Sequence, residues 1–255
     1  MIPDRFFLNF REMSEDKPKT WKIISNFSSS NWFSAISSRI IFTPLFFLKV
    51  LKTPSLTIRG ISATLPFGNF RGQNTSLALY EKSVSLRNLI QRVLVLTEER
   101  IVKRGKRFHL IRQRINVGEA KGYSITIEEG ESAIDRLNNF VVDRGWTQPC
   151  TDLFRFPREI DVVKLVAVCV HNIDGKIVCI SAALYYKDYG KNFFCLALER
   201  GEPRWMAMEK LIELLYERKV EYIHSEGLLG LDNGNYFFQE KLGYRSFNLK
   251  RAHEN

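Results

Sequence analysis

The most legible hydrophobic pattern runs from Phe193 to Tyr244, where strand, loop, helix, strand and helix follow with few residues between them. Phe193-Phe-Cys-Leu-Ala-Leu198 is an unbroken apolar run of strand length, the pattern of a strand buried on both faces. Glu199-Arg-Gly-Glu-Pro203 breaks it, and Pro203 suits a first helical turn, where its missing N–H costs nothing. Beyond it Trp205, Met208, Ile212 and Leu215 fall on one helical stripe. Val220 to His224 predicts a second short strand, Gly227 to Gly234 a glycine-rich crossing, and Tyr236 to Leu242 a short helix closed by Gly243. A strand, a crossover helix and another strand imply parallel pairing.

Upstream, Tyr123 to Glu128 alternates like a half-buried strand, and Glu131 to Arg144 has helix spacing through Ile134, Leu137 and Val141 before Gly145. Val162 to His171 and Lys176 to Tyr186 predict two apolar strands joined by Asn172-Ile-Asp-Gly175, whose Asp-Gly step is a hairpin signal. From Tyr123 onward the expected order is strand, helix, three antiparallel strands, helix, strand, helix, strand. Before it, Arg107 to Gly122 predicts a basic helix with Phe108, Ile111 and Ile115 turned inward. Ser85 to Arg104 predicts another helix, through Leu86, Ile90, Val93 and Ile101, ended by Gly105. Ser55 to Asn74, with Gly60, Pro66, Gly68 and Gly72, reads as short strands joined by turns.

Residues 1–70 are rich in Phe, Trp and Ser, and the apolar run Ile40 to Leu48, at nine residues, is too short to span a bilayer. A buried segment is expected there, with peripheral contact to a membrane surface through the aromatics, Lys49 and Lys52 as the rival reading. Asp4, Glu12, Glu15 and Asp16 argue against a secretory signal, so a cytoplasmic protein is expected. The four cysteines, Cys150, Cys169, Cys179 and Cys195, lack Cys-x-x-Cys spacing and suit free thiols in a reducing compartment. His109, His171, His224 and His253 are scattered, so no metal site is expected.

Charge changes the picture more than composition does. Residues 1–122 hold 21 Lys and Arg against 8 Asp and Glu, whereas residues 123–255 hold 17 against 20. Between Arg100 and Lys121 there are eight basic residues and one acid, Glu119. A solvated helix face normally mixes signs, so Arg107, Arg112 and Arg114 are candidate contacts to a phosphate-bearing partner, with plain solubility as the competing reading.

The element order from Tyr123 resembles the GNAT acyltransferase superfamily. Gly234-Asn-Tyr-Phe-Phe-Gln-Glu-Lys-Leu-Gly243 is similar to the Gly-x-Tyr-x-Phe-Lys-x-x-Phe-Gly segment of its Fem-like branch of aminoacyl and acyl transferases. Arg107 to Tyr123 is similar to the basic helix before the first strand of their catalytic module. The resemblance covers roughly residues 100–255 and implies an α/β fold, a GNAT-like mixed sheet flanked by helices. The division expected is a basic, aromatic-rich part, residues 1–105, packed against an acyltransferase domain, residues 106–255. Two departures stand out. The glycine-rich coenzyme A pyrophosphate loop of GNAT acetyltransferases is represented by Leu198 to Met206 with one glycine, Gly201, and the Fem-like lysine is replaced by Gln239. The tyrosine that many GNAT enzymes use as general acid is also absent, with Tyr236 one turn earlier.

Acyl transfer to an amine needs orientation, donors for a developing oxyanion and a base for the ammonium proton. In such a fold the donor lies where the parallel strands part, with its phosphates at the crossover helix N-terminus, so Arg200, Gly201, Arg204 and Gln239 are the candidate donor-binding residues. Glu226 is the candidate base or amine-binding carboxylate, with His224 and Tyr236 beside it. The plainer readings are a solvated or capping acid, a structural histidine and surface arginines. The expected activity is N-acyl transfer from an acyl-CoA thioester to a small-molecule or peptide amine. An aminoacyl-tRNA donor is the first alternative, and a non-catalytic RNA- or membrane-surface-binding protein on a transferase fold is the second.

Overall fold

The computed structural model describes residues 48, 51–58, 64–70, 73–78, 90–103, 105–142, 164–199, 201–227, 231 and 233–251. After helical residues 48, 51 and 52 come four strands: β1 (Ser55–Ile58), β2 (Thr64–Phe70), β3 (Gln73–Ala78) and β4 (Gln91–Val95). Helix α1 (Glu98–Val102) follows, then a helical turn at Lys106–Phe108 that runs into α2 (His109–Ala120). The remainder is β5 (Ser124–Glu129), α3 (Gly130–Val142), β6 (Lys164–His171), β7 (Ile177–Tyr186), β8 (Tyr189–Ala197), α4 (Glu202–Glu217), β9 (Tyr222–Gly227), α5 (Asn233–Leu242) and β10 (Arg245–Arg251).

From β5 onward this is the order the hydrophobic pattern predicts. The stretch from Ser85 differs. Its helix spacing through Ile90 and Val93 is coincidental: Gln91 to Val95 is a strand between β9 and β10, antiparallel to both, and only Glu98 onward is helical. Thr97 starts that helix, its Oγ1 accepting from the Arg100 N–H at 3.3 Å. The part of the predicted helix before Ile90, and the expected helix end at Gly145, lie outside the described residues. Of the apolar run Ile40 to Leu48, only Leu48 is described, and it is exposed. No helix among the described residues is long and apolar enough to cross a membrane.

The large sheet has the order β1-β10-β4-β9-β8-β7-β6-β5, and β2 and β3 form a separate antiparallel pair. Two strands from before residue 105, β1 and β4, therefore lie in the same sheet as those after it. Strands β5 to β8 are antiparallel neighbours, and the turn between β6 and β7 is held by Asn172, whose Oδ1 accepts from the N–H groups of Asp174 and Lys176. Gly175 takes φ +76° there, a backbone conformation that disfavours side chains.

Both faces of β6 and β7 are buried. Val166, Val168, Val170, Cys179, Ala183 and Tyr185 share one core with Trp205, Met208, Leu211, Ile212 and Leu215 of α4. The intervening Leu165, Ala167, Cys169, Ile180, Ala182 and Leu184 are also buried, on the opposite face, and helix α3 packs on β5 and β6 with Ala133, Leu137 and Phe140 buried.

Helix α2 crosses α4 closely at Gly118. A Cβ there would sit 2.3 Å from Met206 Sδ and 3.3 Å from Glu202 Cβ. Gly118→Ala is expected to cost about 1–3 kcal/mol through overpacking, read as a lower urea midpoint with unchanged slope. A neutral result would mean that the two helices can part freely.

Candidate active site

Strands β8 and β9 are parallel neighbours over three Cα pairs, Tyr189 with Tyr222, Gly190 with Ile223 and Lys191 with His224. Past Lys191 the ladder stops, while β8 continues to Ala197 along β7 and β9 continues to Gly227 along β4. The sheet therefore opens a cleft at the carboxyl ends of two parallel strands, where open α/β sheets take their ligands.

Helices α4 and α5 flank it. Arg204, in the first turn of α4, donates from Nη2 to Asn235 Oδ1 of α5 at 2.6 Å and lies 4.0 Å over the ring of Phe238. Phe238 meets Trp205 edge to face, with ring centroids 4.6 Å apart. One residue along, Gln239 is buried and donates from Nε2 to Ser225 Oγ of β9 at 2.9 Å, while its Oε1 and the Arg204 Nε have no hydrogen-bond partner.

The β8 side of the cleft carries Asn192 and Cys195. A bulge between Ala182 and Ala183 resets the alternation so that Cys195 stands opposite Ser181. Asn192 Nδ2 donates to Ser181 Oγ at 3.2 Å and to Met208 Sδ at 3.0 Å, fixing this corner against α4. Cys195 is half-buried and stands beside Ser181 across the ladder. The thiol of Cys179 donates to it, which holds Cys195 below the usual thiol range against the opposing effect of burial, and Arg204 adds to the lowering. The same hydrogen bond pushes Cys179 up.

At the N-terminus of α4 the structure holds an anion of its own. Glu202 is buried, accepts from Arg114 Nη1 at 2.8 Å and from Lys121 Nζ at 2.8 Å, and accepts from its own N–H. Lys121 first, then Arg114, brings its carboxyl from 4.5 to about 2 in spite of burial. Tyr123 donates to Glu199 Oε2 at 2.5 Å, a bond that pushes the phenol up to about 12. The end of β8 and the start of α4 are thus clamped by the end of α2.

Three arginines of the basic stretch, the candidate phosphate contacts, have partners within the chain. Arg114 is committed to Glu202, Arg107 pairs with Glu99 at 3.1 Å, and Arg112 donates to the carbonyls of Lys103 and Gly105. Of the other expected residues, Gly201 caps α4 at φ +101° and Arg200 lies outside the described residues. His224 is not in the cleft: Ile223 joins the core under α4, so alternation turns His224 to the other face, where Nε2 donates to Gln91 Oε1 at 2.5 Å. Burial, and after it the charge of Lys191, hold the His224 imidazole well below its usual range and keep it neutral. Glu226 belongs to β9, and its side chain is outside the described residues. Tyr236 lies under the Arg92 guanidinium at 4.7 Å and lines a groove of about 750 Å³ with Arg100, Arg107, Lys241 and Arg245.

Strand, helix, three antiparallel strands, crossover helix and a parallel strand that parts from its neighbour is the arrangement expected above. The fold is GNAT-like.

No family model matches the chain, and no curated protein matches it. Among solved structures it is similar to FemX, with 8% identity and TM-score 0.46 over 66% of this chain and 62% of that one. It is also similar to L-PGS from Bacillus licheniformis, with 14% identity and TM-score 0.41 over 65% and 60%. A conserved protein of unknown function from Bacteroides thetaiotaomicron matches with 15% identity and TM-score 0.44 over 63% and 60%. The chain thus spans about 60% of the length of these structures, and likeness at this level transfers no activity to it.

Within the GNAT-like frame, sequence reasoning placed Arg204 and Gln239 beside the cleft but missed Asn192, Cys195, Phe238 and Ser225 as its walls. Cys195 was read only as one thiol in an apolar run, because the bulge that turns it toward Ser181 has no signature in the residues themselves. Among the described residues no group of three or more His, Cys, Asp or Glu converges as a metal site would require.

Proposed function

We propose that the chain transfers an aminoacyl group from aminoacyl-tRNA to an amine in the cleft between β8 and β9. The observation that carries this choice of donor is Glu202. A coenzyme A thioester would bring a diphosphate to the N-terminus of α4, where the helix dipole and free N–H groups favour an anion. That position already holds a buried carboxylate that engages Lys121 and Arg114, so a diphosphate there would have to compete with Glu202 for both cations. A tRNA ester presents its carbonyl without a diphosphate at that point.

Arg204, at the cleft with an unpartnered Nε, supports the second reading, an acyl-CoA donor, since its guanidinium can meet a phosphate or a developing oxyanion. Under either donor Gln239 Oε1 is the acceptor that would hold the incoming amine by its N–H.

The test offers the purified protein a mixture of labelled aminoacyl-tRNAs and, separately, acetyl-CoA and longer acyl-CoAs, with a mixture of amines, and counts base-stable amide product. Label transferred from tRNA and not from coenzyme A is the expected result. Transfer from coenzyme A alone overturns the donor in favour of the second reading. No amide from either donor overturns catalysis and leaves a binding protein on a transferase fold.

A further inference from the structure

From the position of Cys195 at the parting of the strands, and resting on the acyl-transfer reading above, we infer that its sulfur accepts the acyl group before the amine does. The chain then works through a thioester on β8.

Three features around the parting of the strands bear on that sulfur. Cys195 lies in the part of β8 beyond Lys191, where β9 no longer pairs with it, and it is half-buried where its neighbour Cys179 is fully buried. Arg204, whose guanidinium is held at the start of α4 by Asn235 and the Phe238 ring, supplies a positive charge that favours the thiolate. Across the cleft, the buried Gln239 carries an Oε1 with no partner in the protein. A structural thiol needs none of these. A nucleophile needs a cation to favour the thiolate, partial access, and an acceptor for the second substrate.

The chemistry balances without an added oxidant or metal. The thiol loses its proton to solvent, and Cys195 Sγ attacks the donor carbonyl carbon. As the S–C bond forms, the C–O bond to the ribose breaks, and the departing oxygen takes a proton from water. The amine nitrogen then attacks the thioester carbon, a C–N bond forms, and the C–S bond breaks. The sulfur leaves as thiolate, and the ammonium proton goes to solvent. Arg204 faces the charge that develops in both halves.

The test uses the full chain and two probes, iodoacetamide and p-nitrophenyl acetate. Peptide mapping is expected to find Cys195 as the most rapidly alkylated thiol, with a pH midpoint below the ordinary thiol value of about 8.5. Arg204→Gln should move that midpoint upward. With p-nitrophenyl acetate, one equivalent of p-nitrophenolate should be released in a burst. The acetyl group should appear on Cys195, be removed by hydroxylamine, and pass to added glycinamide as N-acetylglycinamide. Cys195→Ser should lose the burst while melting at the parent's temperature.

Alkylation at or above the ordinary midpoint, or a burst that survives in Cys195→Ser, overturns the inference. So does Cys195→Ala that forms amide from aminoacyl-tRNA at the parent's rate, an outcome that leaves the transfer reading intact. A burst on Cys195 in a protein that takes nothing from aminoacyl-tRNA or acyl-CoA supports the nucleophile and overturns the donor, so the two failures are separable.

Discussion

Glu209→Ala is expected to cost about 3 to 5 kcal/mol of stability, enough to unfold much of the protein near body temperature. Glu209 lies in the middle of α4 and is 2% exposed, and it meets Arg100, 3% exposed, through two hydrogen bonds of 3.0 and 2.5 Å. The Arg100 Nε also donates to the Leu242 carbonyl at 2.7 Å, and Lys103 bonds Glu213 at 2.6 Å one turn along α4. One guanidinium therefore ties α1, α4 and the end of α5, the two helices that flank the cleft included. Removing the carboxylate leaves a buried cation with one carbonyl, that of Leu242, and the Phe108 ring beside it. The double variant Arg100→Met with Glu209→Leu should cost much less than the single, because two charges leave together and apolar volume replaces them. Urea unfolding of Glu209→Ala, Arg100→Met and the double variant decides it. A single variant within about 1 kcal/mol of the parent, or a double as costly as the two singles combined, would remove this pair from the frame of the site.

The second large effect is on pH. The Glu202 carboxyl sits at about 2 in the folded protein against 4.5 for the free side chain, with Lys121 as the main cause. A folded value below the unfolded one means that the unfolded chain binds the proton more tightly. The stabilisation is therefore complete above pH 4.5 and is lost as pH falls from there toward 2. Arg114 and Lys121 are about half exposed, so solvent screens the pair, and the contribution is on the order of 2 kcal/mol. In unfolding curves at pH 7 the parent should exceed Glu202→Gln by that amount, and the gap should close by about pH 2. A gap that stays constant across this range would show that the packing of Glu202, not its charge, is what α4 requires.

How far the residues alone disclose this molecule depends on the distance over which each feature is decided. The elements from β5 to β10 were legible because each carries its own signal: an Asp-Gly turn before Lys176, Pro203 in the first turn of α4, and Gly243 at φ +97° after α5. Strand β4 was not. Gln91 to Val95 has no turn of its own to mark it, and its identity comes from β9 and β10, with His224 bonded to Gln91 across 133 positions. The partners of the basic helix were hidden for the same reason. Its density of charge is visible locally, but the carboxylates that answer it, Glu99 and Glu202, stand on other elements. The cleft itself was legible as a place and not as a set of side chains, because a bulge in the β7 and β8 ladder decides which residues of β8 line it.

The position of β4 also sets an order of events during synthesis. This strand finds hydrogen-bonding neighbours only in β9 and β10, so when it leaves the ribosome neither of its partners has been made. Strands β5 to β8, by contrast, pair with the strand just before or just after them and can assemble as they emerge. The nascent chain thus carries a folded antiparallel meander and, ahead of it, a segment whose two edges stay open until translation reaches the ninth and then the tenth strand. Such a segment invites pairing with another chain, and closing a loop of this length is slow. Refolding from denaturant, where all strands are present at once, avoids the wait but not the long closure, and chaperones that cover extended apolar segments have a long window on β4.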